Sequence, residues 1–259
     1  MRQFFLATDS DRLPQPGEQV TLDRDESHHL FTVLRGGRET ELELVDGRGH
    51  RLTALPRGKE GKLALLEIVA VTTDEEELRE PRLTLACAVV KGKRFEWALE
   101  KAVELGAHDF LPLETDLGVI DPRPGKMERW RTIMTAALKQ SGRSWLPTLA
   151  DPLSLTDVLS RGSACPAYFG AAPRDAAELQ SGVPFWTDVL QRKVDDPPAL
   201  LTVLIGPEGG WSPGELSQLV RAGALPFSMG PHILRTETAA LTGLSMLQSL
   251  REQWRPGRS

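Results

Sequence analysis

Leu200-Leu-Thr-Val-Leu-Ile-Gly-Pro-Glu-Gly-Gly-Trp-Ser-Pro-Gly-Glu215 is the stretch on which the reading of the chain turns. Leu200–Ile205 is apolar without alternation, the pattern of a strand buried on both faces in a parallel sheet covered by helices. The strand runs straight into a loop with three glycines in five residues, Gly206, Gly209 and Gly210. Ser212 then stands where an N-cap belongs, with Pro213 at the first helical position and Glu215 completing a capping box, so a helix starts here. In open parallel sheets, ligands bind outside the carboxyl ends of such strands. Glycines at φ > 0 let backbone groups come close to a ligand, and Pro207 stiffens the turn. The loop is neither GxGxxG nor GxxxxGK[ST], so neither a Rossmann dinucleotide site nor a P-loop is supported. By itself it reads equally as a tight structural turn.

The same logic recurs in Met229-Gly-Pro-His-Ile-Leu-Arg-Thr-Glu-Thr-Ala-Ala-Leu241. A short strand over Pro226–Gly230 meets a Gly-Pro turn, and a helix begins at Leu234 or Thr236. Glu237 falls in its first turn, where the helix dipole favours an anion. Gly230 to Thr238 offers free backbone groups with the Arg235, Thr236 and Thr238 side chains, although Arg235 and Glu237 alone would also read as a surface ion pair. Two such loops at one sheet edge make a pocket.

Upstream, strands and helices alternate. Leu83–Val90 is a second buried strand. Phe95, Ala98, Leu99, Ala102, Val103 and Leu105 share a helical face that ends at Gly106. Asp109–Leu113 is a strand, Met127, Trp130, Ile133, Met134, Ala137 and Leu138 keep helical spacing before Gly142, and Ala167–Gly170 is a further strand. This predicts an α/β class with a parallel sheet and helices on both faces. The first 72 residues read differently: Glu41–Val45 and Arg51–Leu55 flank Asp46-Gly47, a hairpin turn, and Lys62–Val71 is a third strand. With a short helix near Glu26–Leu34 they suggest a small β-barrel. The expected domains are therefore 1–72, an acidic solvated linker over 73–81 ending in Pro81, and 82–259.

Composition narrows the function classes. With 40% hydrophobic and 26% charged residues among 259, the chain is globular. No run approaches a membrane span and the N-terminus lacks a signal-peptide pattern, so a soluble cytoplasmic protein is expected. Cys87 and Cys165 form no CxxC, and the five histidines show no ligand spacing, so no metal is expected. The net charge of −5 argues against bulk attraction to nucleic acid, yet Pro122–Arg143 carries six bases against Glu128, making that stretch +5 and the remainder −10. That is compatible with a polyanion-binding edge or with a solvated helix face.

Ile205-Gly-Pro-Glu-Gly-Gly210 together with Leu234-Arg-Thr-Glu-Thr-Ala-Ala-Leu241 resembles the signature of the RsmE family, SPOUT-superfamily methyltransferases acting on the N3 atom of a uridine in 16S ribosomal RNA. Met1-Arg-Gln-Phe-Phe5 and His28-His-Leu-Phe-Thr-Val-Leu-Arg35 are similar to that family's PUA-like RNA-binding barrel, and Lys91-Gly-Lys-Arg94 with Glu100-Lys-Ala-Val-Glu-Leu-Gly106 to the start of its catalytic domain. The resemblance implies a deep trefoil knot, a homodimer, and S-adenosylmethionine held by Leu204, Ile205, Gly206, Pro207, Glu208, Gly209 and Gly210, by Met229 and Gly230, and by Ile233, Leu234, Arg235, Thr236, Thr238 and Ala239.

Methylating N3 requires loss of its proton and stabilisation of the resulting anion. Arg235 is the candidate for the anion or a neighbouring phosphate. Glu208 or Glu237 would assist proton removal, or instead hold a loop. His28, Arg35, Arg94, Lys126, Arg129 and Arg143 are the candidate RNA contacts. Two departures stand out. The family's Ser/Thr-x-Arg-Ser after the second strand is here Glu114-Thr-Asp-Leu-Gly118, without the arginine, and its Glu-Gln at the end of the long helix is Lys139-Gln140. Two rival readings follow: an RNA-binding relative that kept the cofactor pocket but lost activity or changed target, and a small-molecule α/β enzyme using the loops for another nucleotide.

Overall fold

The computed structural model describes residues 3–7, 12–33, 41–118, 125–161, 166–179, 182–191 and 197–254. The chain divides into two units, one of Met1–Leu78 with Thr135–Leu146 and one of Arg79–Met134 with Pro147–Ser259.

The first unit comprises β1 (Gln3–Phe5), β2 (Gln19–Thr21), α1 (Arg24–Val33), β3 (Leu42–Val45), β4 (His50–Glu60), β5 (Leu63–Thr73) and α2 (Glu75–Leu78). The sheet runs β1-β3-β4-β5-β2, antiparallel except where β1 lies parallel to β3. Irregularities at Thr53/Ala54 and Pro56/Gly58 interrupt the long β4–β5 ladder, and such bulges bend a strand pair. Phe4, Leu44, Leu52, Leu66 and Ile68 from the strands close over Leu30 of α1 as one core. The Asp46-Gly47 turn is real: Gly47 has φ +75, and the Asp46 carboxylate accepts from the Arg48 and His50 amides at 2.7 and 3.1 Å. Asp23 caps α1 by accepting from the Glu26 amide at 2.8 Å.

The acid-rich stretch is folded rather than a solvated tether. Strand β5 continues to Thr73 and α2 follows at once. Asp74 accepts from Arg51 Nη2 at 2.8 Å and Ser144 Oγ at 3.0 Å, and Glu77 takes a two-pronged bond from Arg143 at 2.6 and 2.9 Å. The acids have partners seventy residues away, which local composition does not reveal. Lys139, a base where the RsmE pattern has an acid, is correspondingly paired with the buried Glu26.

The second unit contains β6 (Arg82–Ala88), α3 (Lys93–Glu104), β7 (Asp109–Glu114), α4 (Lys126–Ser141), β8 (Thr148–Leu149), β9 (Leu153–Ser154), α5 (Leu155–Arg161), β10 (Ala167–Gly170), α6 (Pro173–Glu178), α7 (Trp186–Leu190), β11 (Leu200–Ile205), α8 (Pro213–Arg221), β12 (Leu225–Phe227) and α9 (Thr236–Arg251). The last turns of α4 belong to the first unit. Strand order is β12-β10-β11-β6-β7-β8, with β9 also on β7, and every pairing is parallel. Alternate residues of β11 meet different layers. Val203 and Ile205 lie against Gly243 of α9, whereas Leu204 joins Leu155 and Val158 of α5 and Leu216 and Leu219 of α8. Helices therefore cover both faces, as the unbroken apolar run requires. The parallel-sheet α/β unit and the small N-terminal barrel are the expected fold class. Among the described residues no helix is long and apolar enough to cross a membrane.

Candidate functional site

At the carboxyl ends of β10, β11 and β12 lies a cleft. One wall is the glycine-rich loop, through Ile205, Gly206, Pro207, Glu208 and Gly210. A second is the segment after β12, through Met229, Gly230, Ile233, Leu234, Thr236 and Ala239. The third, which sequence reasoning missed, is the turn after β10, Gly170–Pro173 with Asp175; Trp211 and His232 also face the cleft. A signal for it existed: Pro173 at a helix start with Asp175 two residues on repeats the Ser212-Pro213-Gly-Glu215 pattern, and the Asp175 carboxylate accepts from the Ala172 amide at 2.8 Å.

Side chains tie the three walls together. Buried Trp211 donates its Nε1–H to the Gly170 carbonyl at 2.9 Å and lies over Gly206, where a Cβ would meet its ring at 3.0 Å. Gly210 sits at φ +72, and a Cβ there would reach Arg174 and Asp175 at under 3 Å. Glycine is thus required at 206 for close approach and at 210 for both conformation and space. Thr236 Oγ1 donates to the Gly206 carbonyl at 3.3 Å, fixing the start of α9 to the glycine loop.

Four of the expected cofactor residues lie off the cleft lining. Leu204 is in the core beneath it, Gly209 packs under Leu117, and Thr238 and Arg235 are exposed at the start of α9. Arg235 is the N-cap, its carbonyl accepting from the Ala239 amide at 2.9 Å. Its guanidinium makes no hydrogen bond or ion pair among the described residues. Glu208 is 40% exposed and accepts from Arg94 Nη1 at 2.7 Å. Glu237 is 7% exposed, lies outside the cleft lining, and leaves Oε2 without a hydrogen bond. Cys87, at the end of β6, is a free buried cysteine; burial pushes its thiol pKa upward, and the charges of Glu237 and Glu208 add to the shift. It is therefore not a nucleophile at neutral pH. Cys165 lies outside the described residues.

The expected RNA contacts fare unevenly. His28 is exposed on α1, and Arg129 is exposed but paired with Glu96 at 2.7 Å. Arg94 is engaged with Glu208, and Lys126 begins α4 half-buried. Arg143 is corrected: at 7% exposure, with its guanidinium committed to Glu77, it is a structural strut. Arg35 lies outside the described residues. Among the described residues no group of three His, Cys, Asp or Glu could hold a metal ion.

One further arrangement sits beside the glycine loop. The capping box of α8 is complete, with the Glu215 amide donating to Ser212 Oγ at 3.2 Å and the Ser212 amide to Glu215 Oε2 at 2.8 Å. The loop after β7 joins it: the Asp116 amide donates to Glu215 Oε1 at 2.9 Å, and Ser212 Oγ donates to Asp116 Oδ2 at 2.5 Å.

A parallel α/β unit with a glycine-lined cleft at the carboxyl ends of its strands is a ligand-binding arrangement, and residues 77–248 match the RNA methyltransferase domain family, which gives the class. The chain is 35% identical over 237 residues to the ribosomal RNA small subunit methyltransferase E of Synechocystis sp., covering 90% of this chain and 74% of that one. It is 31% identical to the protein of the same name from Mycobacterium bovis, over 94% and 91% of the two chains. The fold matches the Neisseria gonorrhoeae ribosomal RNA small subunit methyltransferase E, solved bound to S-adenosyl methionine, with a TM-score of 0.76, 28% identity and coverage of 96% and 98%. The chain belongs to the ribosomal RNA small subunit methyltransferase E family, the RsmE family its motifs resemble.

Proposed function

We propose that this chain transfers a methyl group from S-adenosylmethionine to N3 of a uridine in 16S ribosomal RNA of the small subunit, working in the cytoplasm as a homodimer. The observation that carries the reading is the cleft itself. It is walled by backbone from three loops, floored by apolar Ile205, Leu234 and Met229, and kept open by glycines that admit no side chain. Those surroundings fit an uncharged adenosyl group, recognised by peptide groups and buried against hydrocarbon. Once bound, S-adenosylmethionine supplies an activated methyl on a sulfonium.

What remains for the protein is to bind the base, take its proton and steady the charge. Arg235, unpaired at the N-cap between the cleft residues Leu234 and Thr236, is the candidate to meet the uracil anion or the adjoining phosphate. Glu208 borders the cleft and is half-open to solvent, so it is the better placed carboxylate for proton removal; Arg94 holds it. Glu237 is buried behind the cleft and suits an internal role in the first turn of α9. For the dimer, Ile233 supplies an apolar residue 71% exposed at the cleft mouth, which a second copy would cover.

The test is methyl transfer from labelled S-adenosylmethionine to small ribosomal subunits lacking the modification, followed by nucleoside analysis. Label in 3-methyluridine supports the reading. Cofactor binding without label in RNA would favour a silenced or retargeted relative, for which the missing arginine of the 114–118 segment is the motive. Loss of S-adenosylmethionine binding altogether would favour the small-molecule enzyme.

A further inference from the structure

Leu117 is 47% exposed, yet the backbone that carries it is tightly held. Asp116 is bonded through its amide to the buried Glu215 and through its carboxylate to Ser212, and both partners are already fixed as the cap of α8. Gly118 follows with its amide donating to the Thr115 carbonyl at 3.0 Å, closing the turn. Leu117 itself lies against Gly209, where a Cβ would come within 3.1 Å of the leucine Cβ. An apolar side chain is thus held in the open, one residue from Glu208 at the cleft edge. The half of its surface left in water contributes nothing to the fold, because the hydrophobic effect rewards only area removed from water.

We propose that Leu117 is an acceptor-positioning residue: its side chain forms the apolar wall on which the flat face of the target pyrimidine rests while its edge faces the cofactor cleft. A heterocycle face is a suitable cover for an apolar side chain carried on a firmly held loop, against Gly209 and next to Glu208 at the cleft edge. The inference rests on the methyltransferase reading above. It predicts recognition of the base through shape and dispersion.

The experiment measures methyl transfer to unmodified small subunits by the full-length protein and by Leu117→Ala, Leu117→Asp and Leu117→Met. S-adenosylmethionine affinity is followed by calorimetry and mass in solution by light scattering. Leu117→Ala is expected to raise KM for the subunit roughly tenfold, Leu117→Asp more, and Leu117→Met to stay near the parent, all with unchanged cofactor affinity and mass. A KM within about twofold of the parent for both Ala and Asp overturns the proposal, as does an equal loss of cofactor affinity, which would mean a merely structural role. A change of mass would assign Leu117 to a contact between copies instead, again overturning it. If the parent protein itself transfers no methyl to RNA, the methyltransferase reading fails first and this inference with it.

Discussion

Arg235 shows how much one residue's surroundings decide its role. The sequence leaves it undecided between a site residue and half of an ion pair with Glu237; in the structure Glu237 is buried with an unpartnered oxygen while Arg235 stands exposed at the N-cap. Having no acceptor atom, the arginine makes no side-chain capping bond at that position. Replacing Arg235 by alanine is expected to lower the rate of methyl transfer about 100-fold, the usual scale for one stabiliser of developing charge, with S-adenosylmethionine affinity changed by less than about threefold, since Arg235 does not line the cleft. Single-turnover transfer alongside calorimetry separates the two effects. A residue that only shaped the α9 start would reduce affinity and rate together. The residues that sequence reasoning missed, Trp211 and Asp175, share one property: each matters through a contact with a distant loop, Trp211 to Gly170 and Asp175 beside Gly210. Nothing in their local spacing announces that partner.

At the scale of elements, legibility followed length and capping. β11 and α8 are both found where the sequence places them, because five apolar residues in a run of six and the Ser-Pro-x-Glu start are strong local signals. Removing the Ser212 hydroxyl tests how far the cap is more than a local device. Ser212→Ala loses the bond from the Glu215 amide and the bond to Asp116 together, so α8 and the loop after β7 are both released. The expected cost is about 1–2 kcal/mol, the upper range for an N-cap, read as a lower urea midpoint with an unchanged slope. Ser212→Thr should recover most of it. The weaker middle of the chain was not legible: β8 and β9 have two residues each, and α5, α6 and α7 have five to seven. Elements that short are made by tertiary packing, since isolated helices of such length are not stable on their own. The pairing of β1 with β3, forty residues on, was equally hidden.

At the scale of the molecule, charge segregation looked like a basic edge in an acidic chain, and the structure changes its meaning. Asp74 is one example: burial would raise its pKa, but bonds from Arg51 and Ser144 outweigh that and hold it below the ordinary aspartate value. A carboxylate with a depressed folded-state pKa stabilises the fold in full above its unfolded pKa of about 3.9, and that contribution disappears as pH falls through the folded value. The stability gap between the parent and Asp74→Asn should therefore be constant from neutral pH to about 5 and close below about 4; a gap independent of pH would show that Asp74 acts only through packing. The same pairing governs RNA. Of the six bases in 122–143, Arg129, Lys139 and Arg143 are bound to Glu96, Glu26 and Glu77, and Arg94 is bound to Glu208. A base that must leave a carboxylate before it meets a phosphate releases fewer counterions in net than an isolated one. With about three phosphates neutralised, the logarithm of the association constant for small subunits should fall with the logarithm of salt at a slope of about −2 to −3. Titrations between low and physiological salt would measure it directly. A slope near −6 would require the whole 122–143 stretch to engage phosphate, breaking its ion pairs on binding. A slope near zero would leave shape and base contacts as the sole basis of recognition. A shallow slope is what a chain of net charge −5 should give when Arg94, Arg129, Lys139 and Arg143 already hold carboxylates.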